Sequence, residues 1–560
     1  MAVILDQVLN HSFGSSPMVR MYYNTTTNLV TTDNPWYNVT SPNTAYSWGY
    51  DFNHESADTK RFVDSVTVYW MSQFKVDGFR FDFTKGFTNT VGDGSGYDQS
   101  RINILKRMAN KIWAYDPSAY VILEHFADNT EEIELSNAGL MIWGNINYSY
   151  GQAGMGLTGT DLSSCAYKSR NYTKPNLVSY MESHDEEREA YRIFTYGNSK
   201  NPSYTIAGDV AKMTARLELN AAFFFPIPGP KMIWQFGEQA YDKSIDFNGR
   251  VGNKPLLWKE YQAVPERQRL TQVYAEWMKL RANYDVFSTD NYAYSLVSDT
   301  VKSINLHSAT MEVAVVGNFD CTARYAAPKF NATGMWYEYF SGDSLDVKDV
   351  NVKLKLAPSE YRMYTNVKLA KNTIIAAPRA VSVTVSGNAT VGSVLTGTYK
   401  YFDLSEDQEG VSTLKWFTSS WPTGLYPTYK TATGNQYTIT SEDVSKYIFF
   451  EVTPVAKTGT FLTGTPVSIG IQTAVVSSIS EGELEKIKFY PNPVIDCLNI
   501  ALSEEINRIR LVDINGNQLV IRETRSVDQL KIDLSSFSKG TYFLMFYAKD
   551  GLVKTEKIIK

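Results

Sequence analysis

The stretch Asp77-Gly-Phe-Arg-Phe-Asp-Phe83 carries two opposite charges that an extended chain would bring together. Alternation along a strand sends Phe79, Phe81 and Phe83 to one face, and Arg80 with Asp82 to the other. The arginine favours the ionised carboxylate, and an ionised carboxylate is what a covalent nucleophile requires. A structural Arg–Asp ion pair is the competing reading. In Tyr120-Val-Ile-Leu-Glu-His125 an apolar run ends abruptly in Glu124. Half enclosed beside other carboxylates, such a glutamate retains its proton, as a general acid must. A helix-capping role at the strand-to-loop junction is the alternative. His184 and Asp185 follow a further apolar run in Tyr180-Met-Glu-Ser-His-Asp185, and Asp6, Asn10 and His11 follow the first in Leu5-Asp-Gln-Val-Leu-Asn-His11. Taken singly, an acid-rich loop is ordinary solvated surface and a lone histidine an ordinary hydrogen-bonding residue.

The elements behind these clusters share one pattern. Short apolar runs at residues 2–5, 78–83, 120–123, 140–143, 177–181 and 231–235 alternate with helical stretches, as in a parallel sheet wrapped by helices. The clearest helix is predicted over 99–115, with Ile102, Leu105, Met108, Ala109, Ile112 and Trp113 at helical spacing and Pro117 beyond its end. Each polar cluster lies at the carboxyl end of a separate run, where barrel enzymes place their chemistry. Residues 12–50, rich in Ser, Asn, Thr and Tyr, read as a loop excursion after the first strand.

After this region, residues 1–288, the helical pattern stops. Residues 289–367 read as a small antiparallel β domain. Residues 378–475 resemble an immunoglobulin-like sandwich without its inter-sheet disulfide. Residues 487–560 are again β, with an Asn515-Gly516 hairpin signal between apolar runs.

Composition narrows the function class. The 560 residues carry 54 basic and 59 acidic side chains, a net charge of −5, so nothing draws the chain to nucleic acid. No apolar run approaches the ~20 residues of a membrane span. Three widely spaced cysteines exclude a structural zinc site and make a disulfide framework improbable. Aromatic residues reach 14 %, including 37 Tyr and 11 Trp, whose flat faces and polar edges suit sugar rings.

Taken together, the four clusters resemble the four short motifs of the α-amylase family of glycoside hydrolases. Residues 6–11 match the first, Gly78-Phe-Arg-Phe-Asp82 the second, Glu124 the third and His184-Asp185 the fourth. The likeness covers residues 2–366 and implies a (β/α)8 barrel with a retaining mechanism. Asp82 would be the nucleophile, Glu124 the acid/base, and Asp185 the stabiliser of the oxocarbenium-like transition state. His11 and His184 would hold the central sugar, Arg80 would orient Asp82, and Asn10 would ligate a structural calcium. The substrate implied is an α-glucan such as starch or glycogen, cleaved at internal α-1,4 bonds. A branching or debranching enzyme of the same clan, or an inactive glucan-binding fragment, are the alternatives. Thr84-Lys85-Gly86 stands where a histidine is common, which weakens the calcium expectation. In this family the Asp6–His11 motif belongs to the third strand, so the barrel is expected to lack its first two βα units, as an amino-terminally truncated chain would.

The tail resembles the carboxyl-terminal sorting domain of the type IX secretion system of Bacteroidetes. The matching residues are Phe489-Tyr-Pro-Asn-Pro493, Leu511-Val-Asp-Ile-Asn-Gly516, residues 534–543 and Lys557-Ile-Ile-Lys560. The resemblance implies export to the cell surface or medium by that machinery, after an amino-terminal signal.

Overall fold

The computed structural model describes every residue except 298–299, 477–484, 515, 525–527 and 549–550. The asparagine of the expected Asn515-Gly516 hairpin therefore lies outside the described residues. The chain forms two compact units, Met1–Ile374 and Ile375–Lys560.

The first unit is built on a six-stranded parallel sheet. Its strands are Ile4–Gln7, Gly78–Phe81, Tyr120–Leu123, Met141–Asn145, Leu177–Tyr180 and Lys231–Met232, adjacent in chain order. The α/β class and the parallel sheet expected from the sequence are both present. The strands are short, and the inner ones are largely apolar and buried, which is how parallel sheets covered by helices read in sequence. Gly78 lies so close to Tyr120 that an added Cβ would stand 2.4 Å from the Tyr120 carbonyl oxygen, so only glycine admits this pairing.

Helix Gln99–Tyr115 forms where the spacing predicts it. Asp98 caps it by accepting from the Ser100 and Arg101 amides, and its apolar stripe Ile102, Leu105, Met108, Ala109 and Ile112 is buried. That stripe packs with Phe79, Phe81, Val121, Leu123, Ile142 and Leu177 in one core. A second core joins helices Val210–Phe224 and Pro265–Asn283 to an antiparallel six-stranded sheet that begins at Tyr292–Ser295 and includes Tyr361–Thr365. The excursion after the first strand has a small core of its own, Val19, Val30, Tyr37 and Phe52.

One sequence expectation is corrected here. The strand ends at Phe81 rather than running to residue 83, and Phe83 turns into the left-handed region with φ 46°. Phe79 and Phe81 are fully buried on the helix side, but Phe83 does not share their face. The Phe83 amide donates to the Glu124 carboxylate instead of continuing a ladder, and that contact replaces strand alternation.

The second unit holds two successive all-β bodies, each with a three-stranded and a four-stranded sheet. In one, Leu395, Trp416, Ile448 and Phe450 close the core between the sheets. In the other the core is Leu498, Ile500, Ile509, Leu511, Leu544 and Phe546. Among the described residues, no helix is long and apolar enough to cross a membrane.

Candidate active site

Strand register assembles the site. Asp6 stands level with Arg80 on the neighbouring strand, and Phe81 level with Leu123, so Asp82 and Glu124 leave the sheet side by side. Arg80 is the hub, with its side chain only 6 % exposed. Its Nη1 donates to Asp6 Oδ1 at 2.7 Å and to Asp82 Oδ1 at 3.0 Å, while Nη2 donates to Glu124 Oε2 at 2.5 Å. The guanidinium also lies over the Trp143 ring, 4.1 Å from its centroid. Burial works against its charge, but Glu124, Asp6 and Asp82 together outweigh that and hold Arg80 above its ordinary pKa.

Glu124 titrates high. Burial is the main cause; Arg80 opposes it, and the Asp82 charge together with a hydrogen bond shared with Asp82 adds to it, leaving the group at about 7. A carboxyl at that value is half protonated near neutrality, as an acid that must also serve as a base requires.

His11 and His184 lie around this core. His11 accepts from Asn10 Nδ2 at 3.3 Å, and burial lowers its pKa against the pull of Asp82. The His184 ring centroid is 6.5 Å from Trp143 and 6.0 Å from Trp234. Its Nε2 is 3.4 Å from Asp185 Oδ2, and Arg250 Nη2 donates to the Asp185 carbonyl. The Tyr180 hydroxyl is pushed up first by burial, then by Glu186, Glu124 and Asp185, against Arg80. One phenol thus feels both Glu124 and Asp185. The structure therefore brings Asp6, Asp82 and Glu124 onto Arg80, and sets His184, beside Asp185, near Trp143, the ring that Arg80 covers.

Behind Glu124 is a network that the sequence did not reveal. The Thr84 amide and hydroxyl both bond the Glu124 carbonyl at 2.8 Å, and the hydroxyl also meets His125 Nδ1 at 2.9 Å. His125 Nε2 reaches Glu131 Oε1 at 3.0 Å, and Arg101 holds both Glu131 oxygens at 2.7 Å. His125, Glu131 and Arg101 are fully buried. Burial raises Glu131, but Arg101 and His125 overcome it and keep its carboxylate low. Asp6 and Trp143 were also missed as partners of Arg80.

For calcium, Asn10 Oδ1 is a buried oxygen without a hydrogen-bond partner among the described residues, which suits a hard cation. Among the described residues, no group of three or more His, Cys, Asp or Glu side chains stands ready to hold a metal. Asn10 Oδ1 is thus one oxygen that a cation could take.

Residues 488–560 match the family described as secretion system C-terminal sorting domain, and the chain carries that domain. Residues 379–470 match the AIR9 A9 domain. The 1,4-alpha-glucan branching enzyme GlgB of Geobacillus stearothermophilus is 21 % identical over 216 residues, covering 34 % of this chain and 30 % of that protein. The chain thus spans under a third of that relative's length. Among solved structures, the α-amylase of Geobacillus thermoleovorans, complexed with acarbose, is similar at 14 % identity and TM-score 0.49, over 65 % of this chain and 77 % of that one. Amy13B of Eubacterium rectale is similar at 14 % identity and TM-score 0.49, over 66 % and 79 %. PulA of Klebsiella oxytoca is similar at 13 % identity and TM-score 0.49, over 66 % and 46 %.

Proposed function

We propose that this chain is a retaining glycoside hydrolase of the α-amylase family, acting on internal α-1,4-glucosidic bonds of starch- or glycogen-type glucans. The observation that carries this reading is the single guanidinium of Arg80 holding Asp82 and Glu124 together, with Glu124 poised at about 7. The motif order along the chain and the match to a glucan-active relative support it.

In this reading an Asp82 oxygen attacks the anomeric carbon as the glycosidic C–O bond breaks. The electron pair of that bond leaves with the aglycone oxygen, which takes the proton of Glu124. Glu124, now ionised, removes a proton from water as the water displaces Asp82. Asp185 stabilises the positive charge that develops on the sugar, and His11 and His184 hold its hydroxyls. Asn10 Oδ1 is the oxygen that would hold a calcium ion; the ion would stiffen the start of the loop excursion and take no part in the reaction. The six strands belong, in this reading, to a (β/α)8 barrel.

The test is incubation with amylose. Hydrolysis is expected to release new reducing ends as the iodine colour fades. A second reading, α-1,4 to α-1,6 transfer, is favoured by the branching-enzyme relative. It predicts an iodine colour shift without new reducing ends. Neither change in the product overturns both readings.

The sorting domain supports export by type IX machinery to the cell surface or medium. Deleting residues 487–560 in a host with that machinery is expected to retain the protein inside the cell. Unchanged secretion of the deleted chain would refute this role.

A further inference from the structure

The ion pair between Arg101 and Glu131, behind the carboxyl groups, has every donor of its guanidinium in use. Nε and Nη2 of Arg101 donate to Glu131, Nη1 to the Lys85 and Gly94 carbonyls, and Nη2 also to that of Gly96. Glu131 Oε2 accepts in addition from the Asp98 amide at 2.9 Å, and Oε1 meets His125 Nε2. An ionised carboxylate only accepts, so the proton of that last contact is on His125. Thr84, Arg101, His125 and Glu131 are all fully buried.

Fold stability does not call for this pair. Arg101 lies in the first turn of helix Gln99–Tyr115, the end where the helix dipole disfavours a cation. The apolar core of Phe79, Phe81, Leu105, Val121 and Leu123 already joins the same elements. Apolar side chains of equal volume often stabilise as much as a buried ion pair, whereas a fully bonded network fixes a geometry. Both ends of this network reach Glu124. On one side Arg101 holds the Lys85 carbonyl at 2.6 Å, in the turn whose Phe83 amide donates to the Glu124 carboxylate at 3.2 Å. On the other, Glu131 holds His125, the residue after Glu124. His125 in turn meets the Thr84 hydroxyl, 2.8 Å from the Glu124 carbonyl.

We propose that Arg101, Glu131, His125 and Thr84 are positioning residues for the acid, fixing the Glu124 backbone relative to the turn that meets its carboxyl. None of them touches the sugar. They act by holding the Glu124 carboxyl where its proton reaches the leaving oxygen, a step that tolerates little displacement. This role rests on the retaining glycosidase reading and specifies what keeps its acid in place.

The test compares a leaving group that needs a proton with one that does not. Thr84→Val keeps the β-branched shape and deletes the hydroxyl between His125 and the Glu124 carbonyl; Thr84→Ser keeps that hydroxyl. On amylose, Thr84→Val is expected to lower kcat about tenfold with KM within about twofold of the parent, and Glu131→Gln to lower kcat about a hundredfold. The fluoride of α-glucosyl fluoride leaves unprotonated, so its burst of glycosyl-enzyme formation should stay within about twofold of the parent in both variants. Thr84→Ser should recover most of the amylose rate. A network that only staples the fold would slow the two substrates together. Equal losses on both, or no loss on amylose, would overturn the positioning role alone. Should Glu131→Gln fail to fold, the two Thr84 variants decide. No turnover of either substrate by the unmutated chain would overturn the glycosidase reading and this role with it.

Discussion

Asp82→Asn is expected to lower kcat on amylose by about 10⁴-fold while leaving glucan affinity within a few-fold. The amide is nearly isosteric and keeps the oxygen that accepts from Arg80 Nη1, so the site retains its shape and loses only its nucleophile. Glu124→Gln should cost about 10²–10⁴-fold for the same glucan. The two variants separate on a substrate whose leaving group needs no proton. With α-glucosyl fluoride, Glu124→Gln should still form the glycosyl-enzyme and then stall, because no base remains to activate water. Asp82→Asn should do nothing with it. Burst kinetics with the fluoride would distinguish these outcomes. Comparable, modest losses in both variants on both substrates would mean that the two carboxyl groups do not hold these roles.

Much of the site could be read from residue types because strand ends and burial are local properties. Glu124 follows four residues of apolar strand, and burial sends its pKa in the direction that position implies. The Gln99–Tyr115 helix was legible from its apolar spacing and from the proline beyond it. What escaped depends on contacts between distant segments. Alternation puts Arg80 opposite the phenylalanines, but only the register with Ile4–Gln7 reveals that Asp6 shares its guanidinium. Trp143 reads as one more core residue of an apolar run until the neighbouring strand brings Arg80 over its ring. Glu131 sits in Asn-Thr-Glu-Glu, which reads as a solvated helix start; nothing local announces that Arg101 and His125 bury it. Phe83 misled because Phe at every second position imitates a continuing strand, and the turn over Thr84–Gly86 is set by hydrogen bonds to Glu124 and its carbonyl. Gly86 marks the same turn: an added Cβ would stand 2.0 Å from Asn10 Oδ1, so a larger residue there would require the Asn10 side chain to move.

Arg80→Met should have the second large effect, and its direction follows from which charges the guanidinium serves. Methionine keeps much of the apolar stem and removes the charge that Asp6, Asp82 and Glu124 share. Breaking a buried pair by deleting one partner costs about 3–5 kcal/mol. The value here belongs near the low end, since Asp6 is 60 % exposed and recovers its hydration. Arg80 is also the main influence that lowers Glu124. Without it, Glu124 must rise above about 7, and the alkaline limb of kcat/KM, which follows loss of the acid's proton, must move to higher pH. Stability should change in the same sense. A carboxyl whose folded pKa is raised stabilises the fold below its unfolded pKa of about 4.3 and loses that contribution as pH climbs through the folded value. The Arg80→Met form should therefore melt closest to the parent in acid and fall furthest behind it at alkaline pH, once Glu124 has lost its proton with no counter-charge beside it. A pH series of kcat/KM and of Tm on both proteins tests the two together. An alkaline limb that stays in place, or a stability deficit that does not grow with pH, would mean that Arg80 does not set the charge state of the acid.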